Sequence, residues 1–114
     1  MELTFEKHGS ITIIGLNGRL DTTNYIEFEN KLLEEISQGS SVLIECTHLV
    51  YISSSGLRVL LLALKKAEKT SSKLALCSLQ TGIMEVFRIS AFDSIFSIYP
   101  YKQDALEKLQ DQSK

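Results

Sequence analysis

The sequence predicts an α/β domain, with a mixed, mostly parallel β-sheet of about five strands and about four helices. Three observations carry this. Ser41-Val42-Leu43-Ile44-Glu45-Cys46 and Lys73-Leu74-Ala75-Leu76-Cys77 are short, nearly continuous apolar runs, as strands buried on both faces are. Between such runs lie segments with apolar residues at helical spacing. Strand and helix alternate, so each crossover must travel back along the sheet, which makes neighbouring strands parallel. No repeat, low-complexity segment or linker interrupts the chain, so residues 1–114 read as a single domain.

Leu3 to Lys7 alternates apolar and polar residues, and Ile11 to Leu16 does so in part. His8-Gly9-Ser10 separates them as a turn, which predicts an N-terminal strand pair and one antiparallel strand. Gly18-Arg19-Leu20-Asp21-Thr22-Thr23-Asn24 closes the second strand and opens a helix. Asn24 with Glu27 three residues on has the form of a capping box. Tyr25, Phe28, Leu32 and Ile36 recur at helical spacing, and Gly39 stands where a helix ends. After the Ser41–Cys46 strand comes a strand end and a second helix, closing near Lys69 to Ser72. A strand over 73–77 follows, then a helix from about Thr81 to Ile89 with Ile83, Val86, Phe87 and Ile89 inward. Ser90 to Ser94 reads as a loop and Ile95 to Ile98 as the last strand. Pro100 breaks the chain, and Asp104 to Gln110 makes a closing helix on Ala105, Leu106 and Leu109.

The stretch from Leu49 to Leu64 holds the functional signal. An apolar strand end passes through Ser53-Ser54-Ser55-Gly56 and becomes a helix. Serine caps helices well, and Gly56 would let another backbone approach. A hydroxyl is thus presented at the positive end of a helix, a place suited to a phosphate. At 100 degrees per residue, Leu57, Leu60, Leu61, Leu64 and Ala67 gather on the expected core side. Arg58, Lys65, Lys66 and Lys69 gather opposite, with Leu62 in their midst and Val59 at the edge. A leucine ringed by cations beside a serine-rich helix start reads as a docking patch.

Lys and Arg number 12 against 14 Asp and Glu, a net charge of −2, so the chain has no broad nucleic-acid footprint. The first six residues lack the cationic start and apolar run of a secretory signal, and no apolar run approaches membrane-spanning length. A cytoplasmic setting, with no membrane contact, is the expectation. Cys46 and Cys77 lie in separate apolar strands and read as reduced core thiols; one disulfide is the alternative. His8 and His48 have no metal-ligand spacing, and neither offers a serine a general base with an orienting partner, so no enzyme, metal or cofactor is expected.

The element order, Gly18-Arg19-Leu20-Asp21 and Ile52-Ser53-Ser54-Ser55-Gly56-Leu57-Arg58 together resemble the STAS domain, and more narrowly the bacterial anti-sigma factor antagonists. The similarity covers essentially the whole chain, down to Asp104-Ala105-Leu106, which resembles the family's Glu-Ala-Leu. The resemblance implies a partner switch. The unphosphorylated domain binds an anti-sigma factor that is also a serine kinase, which frees a sigma factor. The kinase phosphorylates a serine at the start of the second helix, and a PP2C-type phosphatase reverses this. By position that serine is Ser54, with Ser53 and Ser55 as alternates. Many members have aspartate just before it; here the position is Ser53. The family's aspartate after the second strand falls on Asp21, whose other reading is a helix-capping carboxylate. The expected partner-binding set is Asp21, Ser53, Ser54, Gly56, Arg58, Val59 and Leu62.

Competing readings are a STAS subunit of a lipid-transport or stress-signalling complex without a phosphorylation cycle, and a nucleotide-binding module. For the latter Gly15-Leu16-Asn17-Gly18 could suggest a phosphate loop, although it lacks the Gly-x-Gly-x-x-Gly pattern. A thiol enzyme on Cys46 or Cys77 is disfavoured because both sit in predicted buried strands.

Overall fold

The computed structural model describes residues 1–112. In order the elements are β1 (Glu2–His8), β2 (Ile11–Leu20), α1 (Tyr25–Ser37), β3 (Ser41–Glu45), β4 (Leu49–Ile52), α2 (Ser54–Lys69), β5 (Leu74–Cys77), α3 (Thr81–Ile89), a 3-10 turn (Phe92–Ser94), β6 (Ser97–Tyr99) and α4 (Lys102–Gln112). The sheet runs β1-β2-β3-β5-β6, and β4 pairs with β2 off that path. β1 is antiparallel to β2, and every other pairing is parallel.

The α/β class and four helices match the sequence reading, but the sheet has six strands where about five were expected. The extra strand arises because β2 is ten residues long. Its first half pairs with β3 from Ile11 to Gly15, and its last residues, Gly18 to Leu20, pair with β4. The chain changes partner at Cys46, whose N–H donates to the Cys77 carbonyl while its own carbonyl accepts from Leu49 N–H. Gly18, at φ +108, absorbs the change by donating to His48 O, and the register slips there so that Val50 is passed over.

Helices α1, α2 and α3 cover one face of the sheet and α4 the other. On the first face Phe28, Leu32 and Ile36 of α1 meet Ile14, Leu16 and Ile44. On the second, Ala105, Leu106 and Leu109 meet Ile11, Ile13 and Leu43. Phe87 of α3 stacks edge-on with Phe92 and Phe96, which holds the 3-10 turn against the core where the sequence suggested a plain loop. Ile89, expected inward, is 74% exposed at the end of α3. Cys46 and Cys77 are backbone neighbours, yet their side chains enter opposite cores, and both are free thiols. Burial pushes both thiols up, which disfavours the thiolate a nucleophile or disulfide exchange needs.

α2 sits rotated from the expected orientation. Its buried stripe is Gly56, Val59, Leu60, Ala63 and Ala67, while Leu57, Leu61 and Leu64 are half-buried. The small residues decide this. A Cβ at Gly56 would lie 2.9 Å from Ile52 Cγ1 and from Leu20 Cγ and Cδ2, so the helix lies closest to the sheet along the glycine–alanine line. The leucines pack at its flanks.

Candidate functional site

The β2 end, the β4 end and the start of α2 meet at one place. Ser53 N–H donates to Leu20 O at 2.9 Å, which brings Asp21 beside the helix entrance. Ser53 is the N-cap: its backbone is extended and its hydroxyl accepts from Gly56 N–H at 3.3 Å. Ser55, the second residue of α2, is half-buried. Ser54 alone of the three serines is exposed, and its hydroxyl has no partner among the described residues. The first turn of α2 holds no acidic residue, so its N–H groups face added negative charge without a resident carboxylate. Ser53→Ala is expected to lower stability by about 1 kcal/mol, the usual worth of a serine cap, read from the urea midpoint at unchanged slope.

Arg58 and Leu62 follow Ser54 at four-residue steps along one outward line of α2, and both are exposed, Leu62 at 43%. Lys65 is exposed on the same side. Two expected contact residues are placed elsewhere. Val59 is 1% exposed and packs in the main core, because the rotation of α2 carries it inward. Gly56 is buried too, and its missing side chain makes room for Leu20 and Ile52 rather than for an outside partner.

Asp21 does not cap α1. Its Oδ1 accepts from Thr23 N–H at 3.0 Å and from the Thr23 hydroxyl at 2.6 Å, and its Oδ2 lies 3.7 Å from Arg19 Nε. The Thr23 hydroxyl bond leads in holding its carboxyl below the usual carboxylate range, so Asp21 is anionic at neutral pH. Asn24 occupies the N-cap without a side-chain cap bond; it clasps the loop, accepting from Asp21 N–H and donating to Arg19 O. The capping-box expectation therefore fails, because the loop competes for the same amide.

Sequence reasoning missed Arg19, Tyr51 and Val50. Arg19 and Tyr51 are register partners, and the guanidinium lies 4.1 Å from the ring centroid. Val50 and Tyr51 are exposed beside the helix entrance. The signal was the extension of β2 past Leu16, which alone puts Arg19 opposite Tyr51. Gly15, proposed for a phosphate loop, lies mid-strand, where a Cβ would collide with the Thr4 hydroxyl. A cleft of about 630 Å³ between the end of α2, β5, β6 and α4 includes none of the residues named at this site. Among the described residues no group of three or more His, Cys, Asp and Glu could hold a metal, and no helix is long and apolar enough to cross a membrane.

The family model described as STAS domain matches residues 2–105. The chain belongs to the STAS domain family. As a STAS domain it is 37% identical over 99 residues to a Bordetella bronchiseptica protein, BtrV, provisionally named an anti-sigma factor antagonist; the match spans 86% of this chain and 85% of that one. Its fold matches an anti-sigma factor antagonist from Mycobacterium paratuberculosis at TM-score 0.87 and 17% identity, over 96% of this chain and 93% of that one. It also matches SpoIIAA, solved in an unphosphorylated form (TM-score 0.81, 19% identity, 96% and 97% covered). The phosphorylated form, from Bacillus, matches at TM-score 0.72 and 20% identity, with 94% and 98% covered.

Proposed function

We propose that this STAS domain is an anti-sigma factor antagonist switched by phosphorylation of Ser54. Unmodified, it binds an anti-sigma factor that is also a serine kinase, and a PP2C-type phosphatase resets it, all within the cytoplasm. The names of its relatives support the antagonist role, and the phosphorylated SpoIIAA structure supports the kind of switch. The observation that carries the choice of residue is that Ser54 alone of the three serines is exposed with an unengaged hydroxyl, at the first turn of a 16-residue helix.

The contact surface is Ser54, Arg58 and Leu62 on α2, with Asp21 and the rim of Ser53 beside them. Leu62 supplies apolar area, and Arg58 supplies charge and hydrogen-bond donors. The domain itself performs no chemistry on this reading; its hydroxyl is the kinase's substrate. Leu62→Glu is expected to weaken anti-sigma factor binding by at least about tenfold, since a carboxylate must then be desolvated against the partner. Titration calorimetry checks this alongside a melting curve, which should hardly move for an exposed position. Undiminished affinity would remove Leu62 from the surface. A cognate kinase that leaves the intact mass of the domain unchanged would favour a STAS subunit without a phosphorylation cycle.

A further inference from the structure

β1 ends the sheet. All seven of its residues pair with β2 on one side, and no strand among the described residues pairs with its other side. Every β1 residue except Leu3 is exposed, and Phe5 is 47% exposed, although it is a large apolar side chain. Such an edge presents free backbone N–H and C=O groups to another strand. Charged side chains often guard edges of this kind. Here two of the three on β1 are held toward the helices, Lys7 Nζ 3.0 Å from Glu35 on the α1 side and Glu6 accepting from Lys102 at 3.1 Å on the α4 side, while Lys31 of α1 lies over the Phe5 ring, 5.5 Å from its centroid.

We propose that β1 is a self-association surface, and that two copies of this chain pair their β1 strands antiparallel about a two-fold axis at Phe5. Strand alternation puts Leu3, Phe5 and Lys7 on the α1 face and Glu2, Thr4, Glu6 and His8 on the α4 face. A two-fold normal to the sheet keeps the faces continuous, so only residues of the same face can stand opposite one another. Centring on Phe5 sets Phe5 against the partner's Phe5, Leu3 against the partner's Lys7, Thr4 against the partner's Glu6 and Glu2 against the partner's His8. No like charges are directly opposed, and all of β1 is used. Shifting the axis to Thr4 opposes Glu2 to the partner's Glu6. Shifting it to Glu6 opposes that carboxylate to its own copy, and shifting it to Lys7 does the same with two ammonium groups. Like charges directly opposite destabilise a strand pair, whereas aromatic pairs favour it. An axis at Leu3 or at His8 opposes no like charges either but pairs only one end of β1, so charge pattern and paired length together select the register, with the exposed ring on its axis. A single-strand contact is small, so the dimer is weak and concentration-dependent. The inference is independent of the proposed function.

Sedimentation equilibrium of the full chain, from micromolar to millimolar concentration, is expected to show mass rising from monomer toward dimer. Phe5→Lys, which opposes two ammonium groups at the axis, should weaken association at least tenfold while circular dichroism stays unchanged. Register is read by cross-linking. Under mild oxidation Phe5→Cys should yield an intermolecular disulfide, and Lys7→Cys, set opposite Leu3, should not; Cys46 and Cys77 are buried and do not interfere. A monomer across the whole range overturns the proposal. So does a dimer untouched by Phe5→Lys in a folded variant, or cross-linking through Lys7→Cys in preference to Phe5→Cys. Should Phe5→Lys fail to fold, the cross-linking pair decides alone.

Discussion

Ser54→Asp is expected to weaken anti-sigma factor binding by about a hundredfold or more, roughly 2.7 kcal/mol, while the melting temperature stays near that of the parent. Ser54→Ala should bind as tightly as the unmodified domain and no longer respond to the kinase. Two opposed effects act on the added charge. Within the domain it sits at a helix N-terminus, worth roughly 0.3–1 kcal/mol to an anion. The cap is a neutral serine and the first turn has no acidic residue, so no carboxylate of the helix start itself repels it. Arg58, one turn on, is exposed and available to pair. Against a partner the same charge must be desolvated beside Asp21, which is already anionic. A phosphoserine, carrying about −1.5 to −2 charges, acts in the same direction and more strongly than aspartate. The fold is therefore indifferent to the switch and the interface is not. Calorimetric titration of both variants against one anti-sigma factor reads the difference, and equal affinities would count against the role of Ser54.

The largest stability effect is expected at Gly56. In Gly56→Ala the new Cβ meets Leu20 Cγ and Ile52 Cγ1 at 2.9 Å, atoms of buried side chains held between sheet and helix. Overpacking of this kind costs roughly 1–3 kcal/mol. The better helix propensity of alanine returns up to about 1 kcal/mol in a helix interior and less in a first turn. A net loss of about 1–2 kcal/mol should lower the melting temperature by roughly 4–8 °C. The control is Gly82→Ala in α3, where an added Cβ has no neighbour within 4 Å. That variant should be neutral or slightly stabilised. If both substitutions behave alike, the close approach of α2 to the sheet is not what Gly56 provides. Because Ser54 is two residues away, Gly56→Ala should also weaken partner binding by displacing the helix entrance.

Much of this architecture could be read from the chain. β3 and β5 were legible because burial on both faces turns strands into unbroken apolar runs, as in Val42-Leu43-Ile44 and Leu74-Ala75-Leu76-Cys77. α1 was legible because Phe28, Leu32 and Ile36 carry its whole buried face. The entrance of α2 was legible because Ser53 is both the last extended residue and a good cap. β4 was not, since its separateness depends on which partner takes the end of β2, a choice made by the Gly18 bulge and the Cys46–Leu49 turn. The rotation of α2 was hidden for a different reason. Hydrophobic periodicity weights large residues, whereas the nearest approach to a sheet is marked by small ones, here Gly56, Ala63 and Ala67. That error placed Val59 on the wrong side. At the proposed site helical spacing put Arg58 and Leu62 on one outward side of α2, Ser54 was singled out among the serines by the family resemblance, and the Arg19–Tyr51 stack needed the register of two strands.

The switch is tested most directly by incubating the domain with its cognate anti-sigma kinase and ATP, then mapping the phosphate by mass spectrometry while following the complex by size-exclusion chromatography. The account predicts one phosphate, on Ser54, absent from Ser54→Ala, with the modified domain eluting apart from its partner. A phosphate confined to Ser53 or Ser55, or a domain phosphorylated on Ser54 that still travels with the anti-sigma factor, would contradict it.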